Sequence, residues 1–93
     1  MKSTVFLFWS PYCGHCPAAK GGIEAVALER DDFELELIDI TSPRGNLKAK
    51  EYGITTVPVF LFYGPASKEI VGLKGSQFKK VLHKEIDKSQ GKN

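Results

Sequence analysis

The sequence is short of cysteine, of long apolar segments and of excess charge, and each shortage excludes a class of protein. Two cysteines in 93 residues are too few for a small disulfide scaffold, in which several bridges replace a hydrophobic core. A net charge of +2 does not favour nucleic acid or an anionic membrane as a partner. The apolar run over residues 5–9 is shorter than the core of a signal peptide or a membrane span. We therefore expect a cytoplasmic protein with no nucleic-acid or membrane partner.

What the chain does contain is ordinary for a soluble globular protein. Hydrophobic residues make up 42% and charged residues 26% of the sequence, which are average proportions. A length of 93 residues suffices for one small core, so residues 1–93 are predicted to form a single domain. Nothing in the sequence demands an oligomer, and we expect a monomer.

Both cysteines lie in the stretch WSPYCGHCP at residues 9–17. A strand-like apolar run precedes this stretch and a helical pattern follows it, the context in which Cys-x-x-Cys spacing indicates redox chemistry. Two thiols so spaced at the first turn of a helix can close a disulfide. Cys13, the leading thiol, lies where the helix dipole and free backbone N–H groups favour a thiolate. A Cys13–Cys16 disulfide in a cytoplasmic protein is expected to be transient and catalytic.

Hydrophobic periodicity predicts seven elements in the order β-α-β-α-β-β-α. The predicted strands cover residues 4–9, 33–40, 57–63 and 68–71. Two predicted helices cover residues 14–30 and 47–52, with Gly53 suited to the position that follows the second. A last helix opens at Gly75 and Ser76. Residues 89–93 are expected to form a frayed tail.

The first and last helices each carry a predicted buried face. In the first helix this face consists of Ala19, Ile23, Val26, Ala27 and Arg30. In the last helix it consists of Phe78, Val81, Leu82 and Ile86. Four lysines of the last helix are expected to face solvent instead: Lys79, Lys80, Lys84 and Lys88.

The order of the elements predicts an α/β fold with a four-stranded mixed sheet and three helices on its two faces. The first crossover should be right-handed and make the first two strands parallel. The last two strands should then form an antiparallel hairpin on the other side. This topology places Cys13 at the carboxyl end of a central strand, where the reaction sites of open α/β sheets collect.

Four separated stretches make the chain resemble the thioredoxin superfamily, at residues 8–16, 38–40, 52–58 and 71–78. The resemblance implies a thioredoxin-like fold and a thiol–disulfide oxidoreductase that reduces protein disulfides. It implies that Pro58 is cis and packs against the disulfide, and that the backbone of Val57 pairs with bound substrate. It also implies that Trp9 borders the site and that Gly72 leaves room for a substrate backbone. Tyr12, inside the motif, is assigned to the same substrate surface.

The chain also departs from the superfamily's usual pattern. It begins at the strand before the cysteines, so in size it resembles a glutaredoxin, although the single Gly72 replaces the glycine pair that glutaredoxins use near glutathione. The nearest subgroup is therefore a glutaredoxin-sized, thioredoxin-like protein. His15 in Cys-Gly-His-Cys resembles protein disulfide isomerases. A histidine there can stabilise the Cys13 thiolate and raise the reduction potential.

A further departure concerns the proton of the second cysteine. Thioredoxins carry a buried aspartate six residues before the first cysteine, and this chain has Leu7 there. The proton of Cys16 must then pass to water, to Cys13 or to another carboxylate. Glu34 and Glu36 on the neighbouring strand are the nearest candidates.

The predicted reaction is an attack of Cys13 on a substrate disulfide, followed by an attack of Cys16 on the mixed disulfide. No cofactor is expected beyond the redox-active Cys13–Cys16 disulfide. The predicted partners are disulfide-containing proteins and a reductase that donates electrons, with thioredoxin reductase favoured over glutathione. A glutathione-dependent, glutaredoxin-like enzyme and a disulfide isomerase remain alternatives.

A non-enzymatic thiol- or metal-binding module is the alternative from another class. Cys13, His15 and Cys16 supply three ligands, and His83 would have to complete a closed zinc site. We expect His83 to be a solvated surface residue and predict no metal site.

Overall fold

A computed structural model of the protein describes residues 2–72 and 78–91, and its elements follow the predicted order. The strands are β1 (Ser3–Trp9), β2 (Phe33–Asp39), β3 (Val59–Tyr63) and β4 (Lys68–Val71). The helices are α1 (Cys16–Glu29), α2 (Pro43–Glu51) and α3 (Phe78–Ser89). The predicted opening of the last helix at Gly75 and Ser76 lies outside the described residues. No helix of the described residues is long and apolar enough to cross a membrane.

The four strands form one mixed sheet in the order β2-β1-β3-β4. β1 pairs in parallel with β2, so that Trp9 lies opposite Asp39, and it pairs antiparallel with β3. β3 and β4 form the expected antiparallel hairpin. The predicted topology is confirmed, and the carboxyl end of β1, a central strand, leads directly into the cysteine motif.

The central strands β1 and β3 are covered on both faces, which explains why β1 is apolar almost throughout. Val5 and Leu7 point to one face and pack in a cluster with residues of α1 and α3. Phe8 points to the other face and packs with Ile38 and with Ala49 of α2. Helices α1 and α3 therefore cover the face to which Val5 and Leu7 point. Helix α1 begins at Cys16, so the second cysteine lies on this side of the sheet.

The buried face of α1 is narrower than its periodicity predicts. Ala19, Ile23 and Val26 are fully buried as expected, but Ala27 is exposed. Arg30 follows the helix and is only partly buried. In α3, Leu82 and Ile86 are fully buried and Val81 is half-buried, while the side chain of Phe78 lies outside the described part. The four lysines of α3 are exposed as predicted.

The second helix begins at Pro43, four residues before its predicted start. Ser42 caps it by accepting a hydrogen bond of 3.0 Å from the N–H of Gly45, and proline is favoured at the first helical position. A Cβ on Gly45 would lie 1.9 Å from the carbonyl oxygen of Asp39, so glycine is required for the close approach of α2 to β2. Gly53 follows the helix at φ +70°, as predicted. The predicted start at residue 47 was wrong because Pro43 starts the helix and Gly45 allows its close packing, although both residue types usually indicate a loop.

The prediction of a frayed tail was wrong for its first residues. Ser89 is fully buried and Gln90 nearly so. The carbonyl of Ser89 accepts a hydrogen bond from the N–H of Ala66 at 2.9 Å. The amide of Gln90 donates to the carbonyl of Asp32 at 2.8 Å. These polar residues therefore tie α3 to two distant loops.

Candidate active site

The cysteine motif forms a tight turn between β1 and α1. The hydroxyl of Ser10 accepts a hydrogen bond of 3.1 Å from the N–H of Tyr12, and the carbonyl of Ser10 accepts one of 3.2 Å from the N–H of Cys13. The N–H of Cys16 then donates to the carbonyl of Cys13 at 3.4 Å. Pro17 lies in the first turn of α1, where it removes no helical hydrogen bond. These local bonds hold the two cysteines one turn apart at the start of the helix.

The two thiols differ in exposure, and the difference assigns them different chemistry. Cys13 is partly exposed and Cys16 is buried, with 3% of its surface accessible. Burial raises the pKa of Cys16 to about 11, and its hydrogen bond with Cys13 acts in the same direction. Cys16 is therefore a neutral thiol at pH 7, and only Cys13 is open to an incoming disulfide.

A loop distant in sequence completes the surroundings of Cys13. The Val57–Pro58 peptide bond is cis, as the resemblance implies. The thiol of Cys13 donates a hydrogen bond of 3.6 Å to the carbonyl oxygen of Val57. Both cysteines are free thiols in this structure, so the packing of Pro58 against a disulfide stays a prediction. The structure does bring Val57 to the reactive sulfur, as the order of the strands requires.

A groove of about 240 Å³ opens beside the two sulfurs. It is lined by Trp9, Ser10, Pro11, Cys13, Cys16, Pro17 and Lys20. Trp9 therefore borders the site as predicted. Its indole N–H is buried and has no hydrogen-bond partner among the residues described, a cost of about 1–3 kcal/mol for such a donor.

Lys20 is a residue of this groove that the sequence analysis missed. Its ammonium nitrogen lies 5.9 Å from the centroid of the Trp9 ring, within the range of a cation–π interaction. The signal was present in the sequence, because Lys20 follows Cys16 by four residues. That spacing places two side chains on the same face of a helix.

In the part of the chain that the structure describes, no hydrogen bond joins the remaining predicted site residues to the two thiols. His15 is exposed at the N-cap of α1, and its side chain makes no capping hydrogen bond. Tyr12 is 89% exposed. Gly72 is also exposed, and a Cβ built there would meet nothing within 4 Å. The open space at Gly72 is compatible with an approaching backbone, and the roles assigned to His15 and Tyr12 stay predictions.

The two carboxylates suggested as proton acceptors for Cys16 were wrong. Glu34 and Glu36 are exposed, and Glu36 lies opposite Phe6 in the sheet. Phe6 packs with the cluster on the α2 face, whereas Cys16 belongs to α1 on the other face. Leu7 itself is fully buried in the cluster beneath α1. No carboxylate is among the described residues that line the groove.

His83 cannot join the cysteines in a metal site. It lies at the other end of α1, where its Nε2 is 2.8 Å from a carboxylate oxygen of Glu29 and its Nδ1 is 3.2 Å from Arg30. Cys16 and Glu29 are the first and last residues of α1, about 20 Å apart along a helix of this length. His83 therefore lies at the surface as predicted, with its side chain 34% exposed, but its ring is partnered by Glu29 and Arg30 and not by solvent alone. Within residues 2–72 and 78–91 no group of three or more potential metal ligands occurs.

Comparison with known proteins agrees with this geometry. The protein-family model described as Thioredoxin matches residues 1–88. A thioredoxin from Methanocaldococcus jannaschii is 46% identical over 65 residues, which cover 68% of this chain and 73% of that protein. A protein disulfide-isomerase from Aspergillus niger is 32% identical over 76 residues, 75% of this chain but only 20% of that protein. The crystal structure of Fasciola hepatica thioredoxin superposes with a TM-score of 0.78 at 21% identity, covering 96% of this chain and 82% of that one.

Proposed function

This chain belongs to the thioredoxin family of thiol–disulfide oxidoreductases, and we propose that it works as a reductase of protein disulfides through Cys13 and Cys16. The observation that carries the proposal is the unequal exposure of the two thiols. Cys13 is open to the groove beside Val57, whereas Cys16 is buried one helical turn further on. That arrangement fits one attacking and one resolving thiol.

The first step forms a mixed disulfide. The Cys13 thiolate attacks one sulfur of the substrate, the substrate's S–S bond breaks, and the departing sulfur leaves as a thiolate that takes up a proton. The helix N-terminus at His15 places the positive end of the helix dipole next to this reaction. Cys16 does not compete as a nucleophile, because it is buried and protonated.

The second step releases the product. Cys16 gives up its proton and attacks the sulfur of Cys13, so that the second substrate sulfur leaves as a thiol and the protein keeps a Cys13–Cys16 disulfide. Two electrons and two protons pass to the substrate. Cys16 lines the groove, so water in the groove or the departing substrate thiolate takes its proton. No carboxylate of the groove does so.

The substrate surface surrounds Cys13 on both sides. Phe60 pairs with Val71 in the β3–β4 hairpin, which places Gly72 at the same end of the sheet as Val57 and Pro58. The backbone of Val57 and the space at Gly72 form one side of this surface. Trp9 and Tyr12 form the other side. A polypeptide that lies across Cys13 would contact both.

The direction of electron flow is the finer part of the proposal. We assign the electrons to a thioredoxin reductase, because the likeness to thioredoxins and the single Gly72 support that donor over glutathione. We also assign the protein to the cytoplasm, where its disulfide would be transient and catalytic. Disulfide isomerisation is the second candidate. His15 between the cysteines and the 32% identity to a fungal protein disulfide-isomerase favour it.

Trapping of the mixed disulfide tests the exchange mechanism. Cys16→Ser should accumulate a covalent complex with an oxidised protein substrate such as insulin, because the resolving thiol is absent. The complex should be visible on a non-reducing gel and disappear with dithiothreitol. Cys13→Ser is the matched control and should trap nothing. Trapping by neither variant, or equally by both, would contradict the proposal.

The reduction potential then separates the two directions. A value near the roughly −270 mV of thioredoxin supports a reductase, and a value near the roughly −180 mV of disulfide isomerases supports the second candidate. The same preparation should be reduced faster by NADPH with a thioredoxin reductase than by glutathione with glutathione reductase. The reverse preference would contradict the assigned donor.

A further inference from the structure

Lys20 places a positive charge on the wall of the groove that both cysteines line. It is exposed on the first turns of α1, lines the groove together with both cysteines, and places its ammonium group over the ring of Trp9. Lys79 and Lys88 form ion pairs with Glu29 and Glu69. Within the described chain, Lys20 forms no such pair, even though Glu24 lies one helical turn away.

Apart from the two cysteines, the described residues that line the groove include no side chain that could carry a negative charge. Its other walls are the ring of Trp9, two prolines and the hydroxyl of Ser10. Apolar walls strengthen the field of a charge at a groove, because they exclude high-dielectric water. When a substrate disulfide reaches Cys13, the side chains next to that disulfide must enter the same groove and pass Lys20.

We propose that Lys20 is a specificity residue that selects substrates with a carboxylate side chain next to the reacting cysteine. The proposal rests on the disulfide reductase function proposed above and adds a substrate class to it. The occupant of the groove is an acidic residue of a polypeptide substrate. The cation–π contact holds the ammonium group over Trp9, at the wall of the groove, before substrate arrives, so less side-chain entropy is lost on binding.

The expected preference for acidic substrates is small, because Lys20 and the substrate carboxylate would pair at an exposed position. Exposed ion pairs are weak and are screened by salt. We therefore expect a preference of about two- to fivefold for an acidic over a basic neighbour. A lysine that only shields Trp9 from water would produce no dependence on substrate charge.

The test uses three disulfide-linked peptides that differ only in the residue next to cysteine, which is Glu, Gln or Lys. Reduced protein is mixed with each peptide, and the rate of attack is followed by the fluorescence of Trp9, the single tryptophan of the chain. The ratio of the Glu-peptide rate to the Lys-peptide rate is compared among wild type, Lys20→Met and Lys20→Glu. Changes in the reactivity of Cys13 cancel in this ratio.

We expect a ratio of about two to five in wild type, about one in Lys20→Met, and below one in Lys20→Glu. High salt should bring all ratios towards one. Lys84→Glu is the matched control, because Lys84 is an exposed lysine on α3 and the change alters the net charge equally. It should keep the wild-type ratio.

Other outcomes overturn the proposal in distinguishable ways. Equal ratios in wild type and Lys20→Glu, with all peptides reduced, would overturn the specificity role alone. Oxidised glutathione is assayed beside the three peptides, and a Lys20→Glu rate loss confined to it would assign the groove to that small tripeptide instead. Failure of the wild-type protein to reduce any peptide would overturn the reductase function as well.

Discussion

The two ends of α1 differ in whether their charged side chains form ion pairs. At the carboxyl end, Arg30 makes two hydrogen bonds of 2.6 Å to Asp32 and one of 2.8 Å to Asp87, which joins the helix end to β2 and α3. At the amino end, Cys16 is buried beside Cys13 and the nearby ammonium of Lys20 has no ion-pair partner in the described chain. The charge of Arg30 is therefore paired at the carboxyl end, whereas among the described residues that of Lys20 is not paired at the amino end.

The pKa values of the two ends move accordingly. The hydrogen bonds from Arg30 hold the pKa of Asp32 far below its ordinary range, and those from Asp32 raise the pKa of Arg30. Burial raises the pKa of Cys16 to about 11. The charged form is thus favoured for Asp32 and Arg30 at the anchored end and disfavoured for Cys16 at the reactive end. Groups that react are commonly left in such under-satisfied environments, at some cost in stability.

The strongest way to break this comparison is to remove Arg30. Arg30→Met keeps the aliphatic stem but leaves Asp32 and Asp87 without the guanidinium, whose side chain is only 14% exposed. We expect the free energy of unfolding to fall by about 2 kcal/mol, measured by urea denaturation. The rate of disulfide reduction should stay within about twofold, because the cysteines lie at the other end of the helix.

Arg44→Met is the matched control, since Arg44 is exposed on α2 and the change removes the same charge. It should alter stability by less than about 0.5 kcal/mol. If Arg30→Met cost no more than this control, the carboxyl end of α1 would not be an anchor.

The reactive end can be tested by alkaline titration of the reduced protein. The pKa of Cys16 in the folded protein is about 11, above the value of about 8.5 expected in the unfolded chain. Because the folded value is raised, its contribution to stability is fully present below pH 8.5 and is lost as the pH rises towards 11. The loss should reach about 2–3 kcal/mol across this window.

Cys16→Ala removes the titrating group and should lack this part of the alkaline slope. The oxidised protein should lack it too, because a disulfide does not ionise. Identical slopes in all three preparations would show that burial does not hold the Cys16 thiol neutral.

The parts of the fold that could be predicted are those that depend on patterns of residues close together in the sequence. The apolar run of β1, the Cys-x-x-Cys turn and the order of strands and helices all follow from neighbours in sequence. The start of α2 was missed because Gly45 is needed for its distance to the carbonyl of Asp39, a contact that only the assembled sheet creates. Ser89 and Gln90 resemble a polar tail, yet they are buried by partners at Ala66 and Asp32.

In the candidate site, too, features set by neighbouring residues could be predicted and features set by tertiary contacts could not. Cys13, Cys16 and the cis bond before Pro58 could be inferred from short motifs. The exclusion of Glu36 as a proton acceptor needs the register that places it opposite Phe6. The contact of Lys20 with Trp9 joins a helix to a strand, so periodicity could indicate the face of Lys20 but not its neighbour.

The smallest effect is expected at the anchored end, where acid titration tests how much Asp32 contributes to stability. The pKa of Asp32 is lowered by Arg30, so its contribution to stability is present above the unfolded value of about 3.9 and is lost as the pH falls below it. Asp32→Asn should remove about 1 kcal/mol at pH 7, after allowance for partial exposure, and should flatten the stability profile below pH 4. Asp31→Asn, at the exposed neighbour, is the control and should keep the wild-type profile. Equal acid profiles for wild type and Asp32→Asn would mean that the Arg30–Asp32 pair orients the helix end without stabilising it, and packing alone would then distinguish the two ends.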